Sequence, residues 1–306
     1  MYKITPNNLF IHANEIFIKK ILSHFLSDKQ FIVYDYLSVF KKFPNLKNPD
    51  TFSEKIQWIK LYGGIDKYSK YVDKYEAREF ISKTMGNKHL IRLYGVWDNF
   101  NEIDFNKLPN QFVLKATHGS AYNFICKDKS LLDINNLRKT VTNWLREDFY
   151  SKTREIQYKN CRPRIICEKY MADKHGDLPE FKVFCFNGKP HMIEVISNMF
   201  SPQKGDDYMD LKWNKLKISS KESPNSNIVV PKPNNLESIL DIASKLSKNF
   251  PFVRVDLYSV NNKIYFGELT FTPASGLTSF NPPEVDHQLG ELIDLSKYRA
   301  SLSPNK

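Results

Sequence analysis

The chain has 306 residues, of which 41% are hydrophobic and 14% aromatic, and carries a formal net charge of +11. That is enough apolar material for a packed core of one to three domains, and it excludes wholesale disorder. The charge reads first as a lysine-rich surface, and second as attraction for an acidic partner such as a nucleotide, an anionic polysaccharide, membrane headgroups or nucleic acid.

In chain order, residues 15–43 predict a basic helical region, with Ile16, Ile18, Ile21 and Phe25 among Lys19, Lys20, Lys41 and Lys42. Such a stretch either packs one face on its own core or lies on a membrane surface or partner. "NPDTFSEKIQWIKLY" predicts a helix capped by Thr51 or Ser53. "YVDKYEAREFISKTMG" predicts a second, closing at Gly86. "QFVLKATHGSAYNFICKDKS" reads as two strands about a polar turn at Gly119 and Ser120. A helix follows from Asp133, then the strand "RPRIICEKYM" and a hairpin turned at Asn187-Gly188. "NLESILDIASKLSKNF" is a helix, and "FVRVDLYSVNNKIYFGELTF" a last hairpin. Helices first, then strand pairs interleaved with helices, predict an α+β fold on antiparallel sheets.

Several chemistries find no support. The four cysteines, Cys126, Cys161, Cys167 and Cys185, form no C-x-x-C pair, which points to a reducing cytoplasm. The seven histidines show no zinc spacing. There is no P-loop, no Rossmann glycine fingerprint, no nucleophile elbow and no Asp-x-Asp. No apolar run reaches the roughly 20 residues of a membrane span, and "MYKITPNNLF" lacks a signal-peptide pattern. The lysines are spread along the chain without a nucleic-acid motif, so no nucleic-acid partner is expected.

The last hairpin is the most informative piece. Alternation puts Arg254, Asp256 and Tyr258 on one face of the first strand, and Glu268 and Thr270 on one face of the second. A two-residue turn at Asn261-Asn262 sets Glu268 opposite Val255, whereas a three-residue loop sets it opposite Asp256. Adjacent carboxylates repel unless a cation lies between them, and hard oxygen donors suit Mg²⁺ with phosphate oxygens completing its shell. The plainer alternative is one acid in solvent and the other paired with Arg254.

Three further groups carry possible chemistry. Lys115 ends a strand before His118, Gly119 and Ser120, a point charge followed by a donor-rich loop that suits a polyphosphate. Glu168 and Lys169 end an apolar strand where backbone groups and a carboxylate suit a purine. Lys182 alternates with apolar residues, which demands an anionic partner.

Taken in order, these segments resemble the ATP-grasp superfamily, and more closely its TupA-like branch, over about residues 45–295. The resemblance rests on "NPDTFSEKIQWIKLY", "VDKYEARE", "GVWDNFNEIDFNKLPNQFVLKATHGS", "FPFVRVDLY" and "YFGELTFTPASG". It implies two α+β lobes clamping ATP between antiparallel sheets, after an N-terminal helical segment. The expected divisions are residues 1–110, a small lid subdomain at 111–172 and a C-terminal subdomain at 173–306. The resemblance assigns ATP contacts to Lys74, Lys115, His118, Gly119, Ser120, Glu168, Lys169 and Tyr170. It assigns Mg²⁺ to Asp256 and Glu268, with Thr270 standing where relatives more often carry Asn. "HGSAYN" replaces a glycine-rich phosphate loop, and Ala121 and Tyr122 make it stiffer.

The implied reaction is ATP-dependent amide formation through an acyl-phosphate. Arg254 and Lys182 are the expected catalytic residues, and Thr272, Ser275 and Gly276 the expected cradle for a substrate carboxylate. The expected partners are an amine or amino acid and a uronate-bearing sugar or glycan of the cell surface. The rival readings are a polysaccharide glycosyltransferase, a sugar phosphotransferase and a non-catalytic basic scaffold. A cytoplasmic protein is expected, with residues 15–43 available for contact with the inner face of the membrane.

Overall fold

The computed structural model describes residues 23–173, 176, 178–197, 205–221, 225 and 230–300. Residues 15–22 of the expected basic helix lie outside the described residues. The following helix, α1 (Asp28–Phe40), opens with Ser27 and Gln30 in a capping box and buries Phe31, Ile32 and Tyr36. Its apolar side therefore packs inward, while Phe25 (81% exposed) and Phe43 (71%) stay in solvent.

Helix α2 (Phe52–Tyr62) starts at Thr51, whose hydroxyl accepts the Glu54 N–H. The next predicted helix is broken. After one turn (Ser69–Val72) the backbone turns extended at Asp73, with φ −64° and ψ 120°. The Asp73 carboxylate accepts the N–H groups of Tyr75 and Glu76 instead of letting the helix continue. Helix α3 (Ala77–Met85) then runs to Gly86.

The smaller sheet contains β1 (Leu93–Trp97), β2 (Phe112–Ala116), β3 (Asn123–Cys126) and β4 (Ile165–Lys169), in the order β1-β4-β2-β3. All its pairings are antiparallel. Because β1 pairs with β4, this sheet begins at Leu93, and the boundary expected at 110/111 falls inside it. Phe112, Leu114 and Cys167 point toward Leu137 and Val141 of α4 (Ile134–Arg146) in one apolar cluster. Val113, Lys115 and Glu168 point the other way.

The larger sheet contains β5 (Glu180–Phe186), β6 (Lys189–Ser197), β7 (Gly205–Met209), β9 (Phe252–Val260) and β10 (Lys263–Thr270), in the antiparallel order β10-β9-β5-β6-β7. A short pair, β8 (Ser219–Ser220) and β11 (Phe280–Asn281), stands apart from it. One face carries Val183, Val195, Val253, Val255 and Leu257 and shares a core with Ile239, Ala243 and Leu246 of α5 (Leu236–Ser247). Each such buried aliphatic side chain stabilises the fold by about 1.5–3 kcal/mol. The opposite face is apolar at one end, where Phe184, Phe186 and Phe252 meet Phe52 of α2. It turns polar at Lys182, Glu180 and Asp256. Ile56, Ile59 and Ile81 join the same core, so the helices of the first third and the C-terminal sheet form one lobe.

The last hairpin resolves its register by an unexpected route. Asn261 and Asn262 make a two-residue turn, both at positive φ (51° and 61°), and Lys263 already pairs with Val260. The three-residue loop is not formed. Instead a bulge between Phe266 and Glu268 takes up Gly267 and brings Glu268 opposite Asp256. A Cβ on Gly267 would lie 2.9 Å from the Asp256 carbonyl oxygen, so only glycine fits without displacing the partner strand.

Candidate functional site

The two sheets face each other across a cleft, and the site lies on both walls. On the small-sheet wall, a cavity of about 140 Å³ is lined by Ile91, Val113, Ile125, Met171 and Leu178, with Tyr258 from the large sheet. Lys115 and Glu168 form its polar end. Glu168 is buried and accepts from Lys115 Nζ (2.8 Å) and Arg78 Nη1 (3.0 Å). Arg78 also donates to the Ile91 carbonyl at 2.9 Å. Lys115 loses stability to desolvation, but Glu168 more than compensates and holds its pKa above the ordinary lysine value. Tyr170 lines the cavity, and Lys169 borders it with its side chain exposed.

Lys74 sits at the seam because of the helix break at Asp73. Its N–H bonds the Thr117 carbonyl at 3.2 Å, and its ammonium donates to the Gly119 carbonyl at 2.6 Å. The same ammonium lies 3.8 Å from Glu268 on the large sheet. The loop after β2 leaves Ser120 exposed. Gly119 is required there, since a Cβ would stand 2.7 Å from the Tyr122 ring and 2.9 Å from the Phe149 ring.

His118 departs from its expected role. It is buried, and its Nε2 bonds the carbonyls of Trp144 (3.0 Å) and Glu147 (3.2 Å) at the end of α4. Burial lowers its pKa, so the neutral ring caps a helix C-terminus instead of binding phosphate. Tyr122 bonds Glu147 at 2.6 Å and fastens the same loop to α4.

On the large-sheet wall, Glu268, Asp256, Lys182 and Glu194 stand in one row across four strands. Arg254 grips Asp256 through Nε (2.8 Å) and Nη2 (2.6 Å), and lies 3.7 Å from Glu268. The plainer reading of Asp256 therefore holds in this state, with the carboxylate paired to Arg254. Burial pushes the Asp256 carboxyl up, and the Arg254 fork opposes that rise. Burial also raises Glu268, but Lys74, Arg254 and the Thr270 hydroxyl outweigh it and bring the carboxyl below its ordinary value. Thr270 donates to Glu268 at 3.0 Å.

This donor set fits a magnesium ion. Two carboxylates and a hydroxyl form one oxygen patch, and Glu268 keeps access to the cleft at 27% exposure. Among the described residues no three His, Cys, Asp or Glu side chains are arranged to hold a metal by themselves, so an ion here would need further oxygen ligands, from water or a phosphate.

The expected carboxylate cradle is spent elsewhere. Thr272 is buried and bonds Glu155 and Gln157, the latter at 2.7 Å. Ser275 accepts from Lys60 at 2.9 Å, and Gln57 binds the carbonyls of Ser275 and Gly276, both at 2.9 Å. Gly276 has φ +71°, and a Cβ there would lie 2.6 Å from Gln57 Nε2. These groups clamp the turn onto α2 and engage the Thr272 hydroxyl and the Ser275 and Gly276 carbonyls. The polar residues of "FSEKIQWIK" thus serve the fold.

Sequence reasoning missed Arg78, Glu180, Glu194 and Asp206. Arg78 had a readable signal, four residues after Lys74 and one helical turn away. Glu194 had one too, as a carboxylate alternating within the apolar strand "HMIEVIS".

Two antiparallel sheets, with lysines facing carboxylates across the cleft, define the α+β ATP-grasp fold. The chain belongs to the TupA-like ATP-grasp family, whose sequence model matches residues 54–294. Among solved structures it is similar to D-alanine–D-alanine ligase from Bacillus anthracis at 17% identity, with 75% of this chain and 65% of that one covered and a TM-score of 0.43. It is similar to an ADP complex of N5-carboxyaminoimidazole ribonucleotide synthetase at 14% identity, over 71% of this chain and 50% of that one, with a TM-score of 0.43. Phosphoribosylamine–glycine ligase from Thermotoga maritima follows at 12% identity, over 76% and 55%, with a TM-score of 0.40. The chain thus spans less than two thirds of the length of each of these three structures. Curated proteins give no match.

Proposed function

We propose that the protein is an ATP-dependent ligase that joins a carboxylate to an amine through an acyl-phosphate and releases ADP. The carboxylate is a uronic acid of a capsular or other cell-surface polysaccharide, and the amine is an amino acid or other small amine. One observation carries this reading. An apolar slot ending in Arg78, Lys115 and Glu168 faces a charged row of Lys182, Asp256 and Glu268 across one cleft. Family membership supports the nucleotide half of it.

In this reading the slot takes the adenine, with Glu168 still offering unused lone pairs to a purine amino group. Lys74 and Lys115 supply positive charge to the phosphates, and Ser120 supplies a hydroxyl. Asp256, Glu268 and Thr270 would hold Mg²⁺, which would neutralise phosphate charge and orient the γ-phosphoryl group. Asp256 must then exchange its Arg254 fork for that role. The freed Arg254, with Lys182, faces the position where charge builds on the acyl-phosphate, and preorganised donors of this kind are the usual source of such stabilisation. The carboxylate attacks phosphorus first, and the amine then displaces phosphate.

Membrane contact belongs to the same proposal. Phe43 is exposed beside Lys41 and Lys42, and Phe25 is exposed at the other end of α1. Among the described residues no helix is long and apolar enough to cross a membrane.

The test is product analysis with purified protein. ADP and phosphate should form only when a uronate and an amine are both present. UDP released from a sugar nucleotide indicates a glycosyltransferase instead. A product that keeps the phosphate indicates a phosphotransferase. Full biological function after joint Asp256→Asn and Glu268→Gln replacement indicates a scaffold.

A further inference from the structure

The polar face of the large sheet carries more acid than the ligase chemistry above uses. Register places Lys182 directly between Asp256 and Glu194, Glu180 between Tyr258 and Ile196, and Asp206 beside Ile196. Alternation sends all these side chains to one face. Glu180, Glu194 and Asp206 are 8%, 9% and 5% exposed.

Among the described residues these three carboxyl groups accept no side-chain hydrogen bond. Glu180 has only Lys182, at 3.7 Å. Among the described residues Glu194 and Asp206 accept no side-chain hydrogen bond and join no ion pair, and Asp206 Oδ1 is fully enclosed without a partner. Buried polar atoms are nearly always paired, and an uncompensated buried charge is heavily penalised. The nearby cations are already engaged. Arg254 is bidentate on Asp256, Lys74 is held at the seam, and Lys182 is one charge opposite both Asp256 and Glu194. Among the described residues the face therefore holds five carboxyl groups, Glu180, Glu194, Asp206, Asp256 and Glu268, against three cations, Lys74, Lys182 and Arg254. The surplus sits on the β6–β7 side, away from the small-sheet wall.

A metal ion is a poor occupant, because no three acids among the described residues converge closely enough to ligate one. A primary ammonium suits the site better, since it carries one positive charge and three N–H donors that reach separate acceptors. We propose that Glu180, Glu194 and Asp206 form a subsite that binds the amine substrate as its ammonium, one of these carboxylates taking up a proton before the free nitrogen attacks. This rests on the ligase reading for its place in the reaction, but the binding itself is independent of nucleotide.

The experiment is thermal-shift and calorimetric titration of the full chain. The probes are the twenty amino acids, putrescine and glucosamine, each matched with its N-acetyl derivative. At least one free amine should stabilise the wild type while its acetylated form does not. The isosteric Glu194→Gln and Asp206→Asn variants should each bind that amine roughly tenfold more weakly. The subsite is overturned if no amine binds, or if binding survives unchanged in both variants. An ATP analogue is titrated in parallel. A protein that binds it and ignores every amine overturns the subsite alone. One that binds amine through these acids but no analogue overturns the ligase reading and leaves the subsite standing.

Discussion

Glu168 takes one cation from each lobe, Arg78 from α3 and Lys115 from β2. Removing Arg78 leaves a buried carboxylate half-paired, so Arg78→Ala should lower stability by about 1–3 kcal/mol. It should also weaken binding of an ATP analogue about tenfold, as calorimetry would show. Glu194 makes the opposite case. Its folded carboxyl is raised, with burial as the main cause and Lys182 opposing it. The folded state therefore holds a proton more tightly than the unfolded chain. Stability is highest below the unfolded value and falls as pH rises through the folded one. Glu194→Gln should raise the melting temperature at pH 7 and flatten that fall, and a pH series of thermal melts checks both. Motif order singled out Lys74 and Lys115 as expected nucleotide contacts, whereas strand alternation left the pairing of Asp256 with Glu268 open between two registers. His118 and Thr272 were misread because a polar residue after a strand looks the same whether it meets a ligand or a buried carbonyl.

The hairpin of β9 and β10 shows how one backbone irregularity positions chemistry. Gly267 moves Glu268 and Thr270 onto the face of Asp256. A ladder of the same length without the bulge would set Gly267 opposite Asp256 and turn both side chains toward the apolar α5 face. Gly267→Val, whose Cβ would lie 2.9 Å from the Asp256 carbonyl oxygen, should disrupt the bulge, lose ATP turnover and melt at lower temperature, as a coupled ADP assay and calorimetry would report. The turn is separable from the bulge. Asn262 holds φ 61° in a two-residue turn that favours glycine at its second position. Asn262→Gly should therefore stabilise by about 0.5–1 kcal/mol without changing turnover. Denaturant unfolding measures the first effect and the ADP assay the second. The hairpin itself was readable from "SVNNKIYF", but two registers remained open because the sequence does not mark a bulge.

For the whole molecule, the lobes meet at Lys74. Its ammonium touches the Gly119 carbonyl of the small lobe and faces Glu268 of the large one. Nucleotide held between the walls should draw the lobes together, and Lys74→Met should abolish that response. Small-angle scattering with and without an ATP analogue tests this, with no change in radius of gyration expected for the variant. The same scale corrects the expected division of the chain. Residues 52–85 share a core with the C-terminal sheet, and β1 joins the small one.

By itself the sequence determined the α+β class, the strand pairs and the family. Those rest on local periodicity and on motif order, which travel with the chain. Tertiary structure alone decided that His118 caps a helix, that the Thr272–Gly276 turn is clamped by Gln57 and Lys60, and that Glu268 reaches Asp256 through a bulge. It also gathered Glu180, Glu194 and Asp206 on one face, where among the described residues they accept no side-chain hydrogen bond. Each of these depends on which backbone or side chain arrives from a distant segment, and burial, not spacing, sets what a polar group then does.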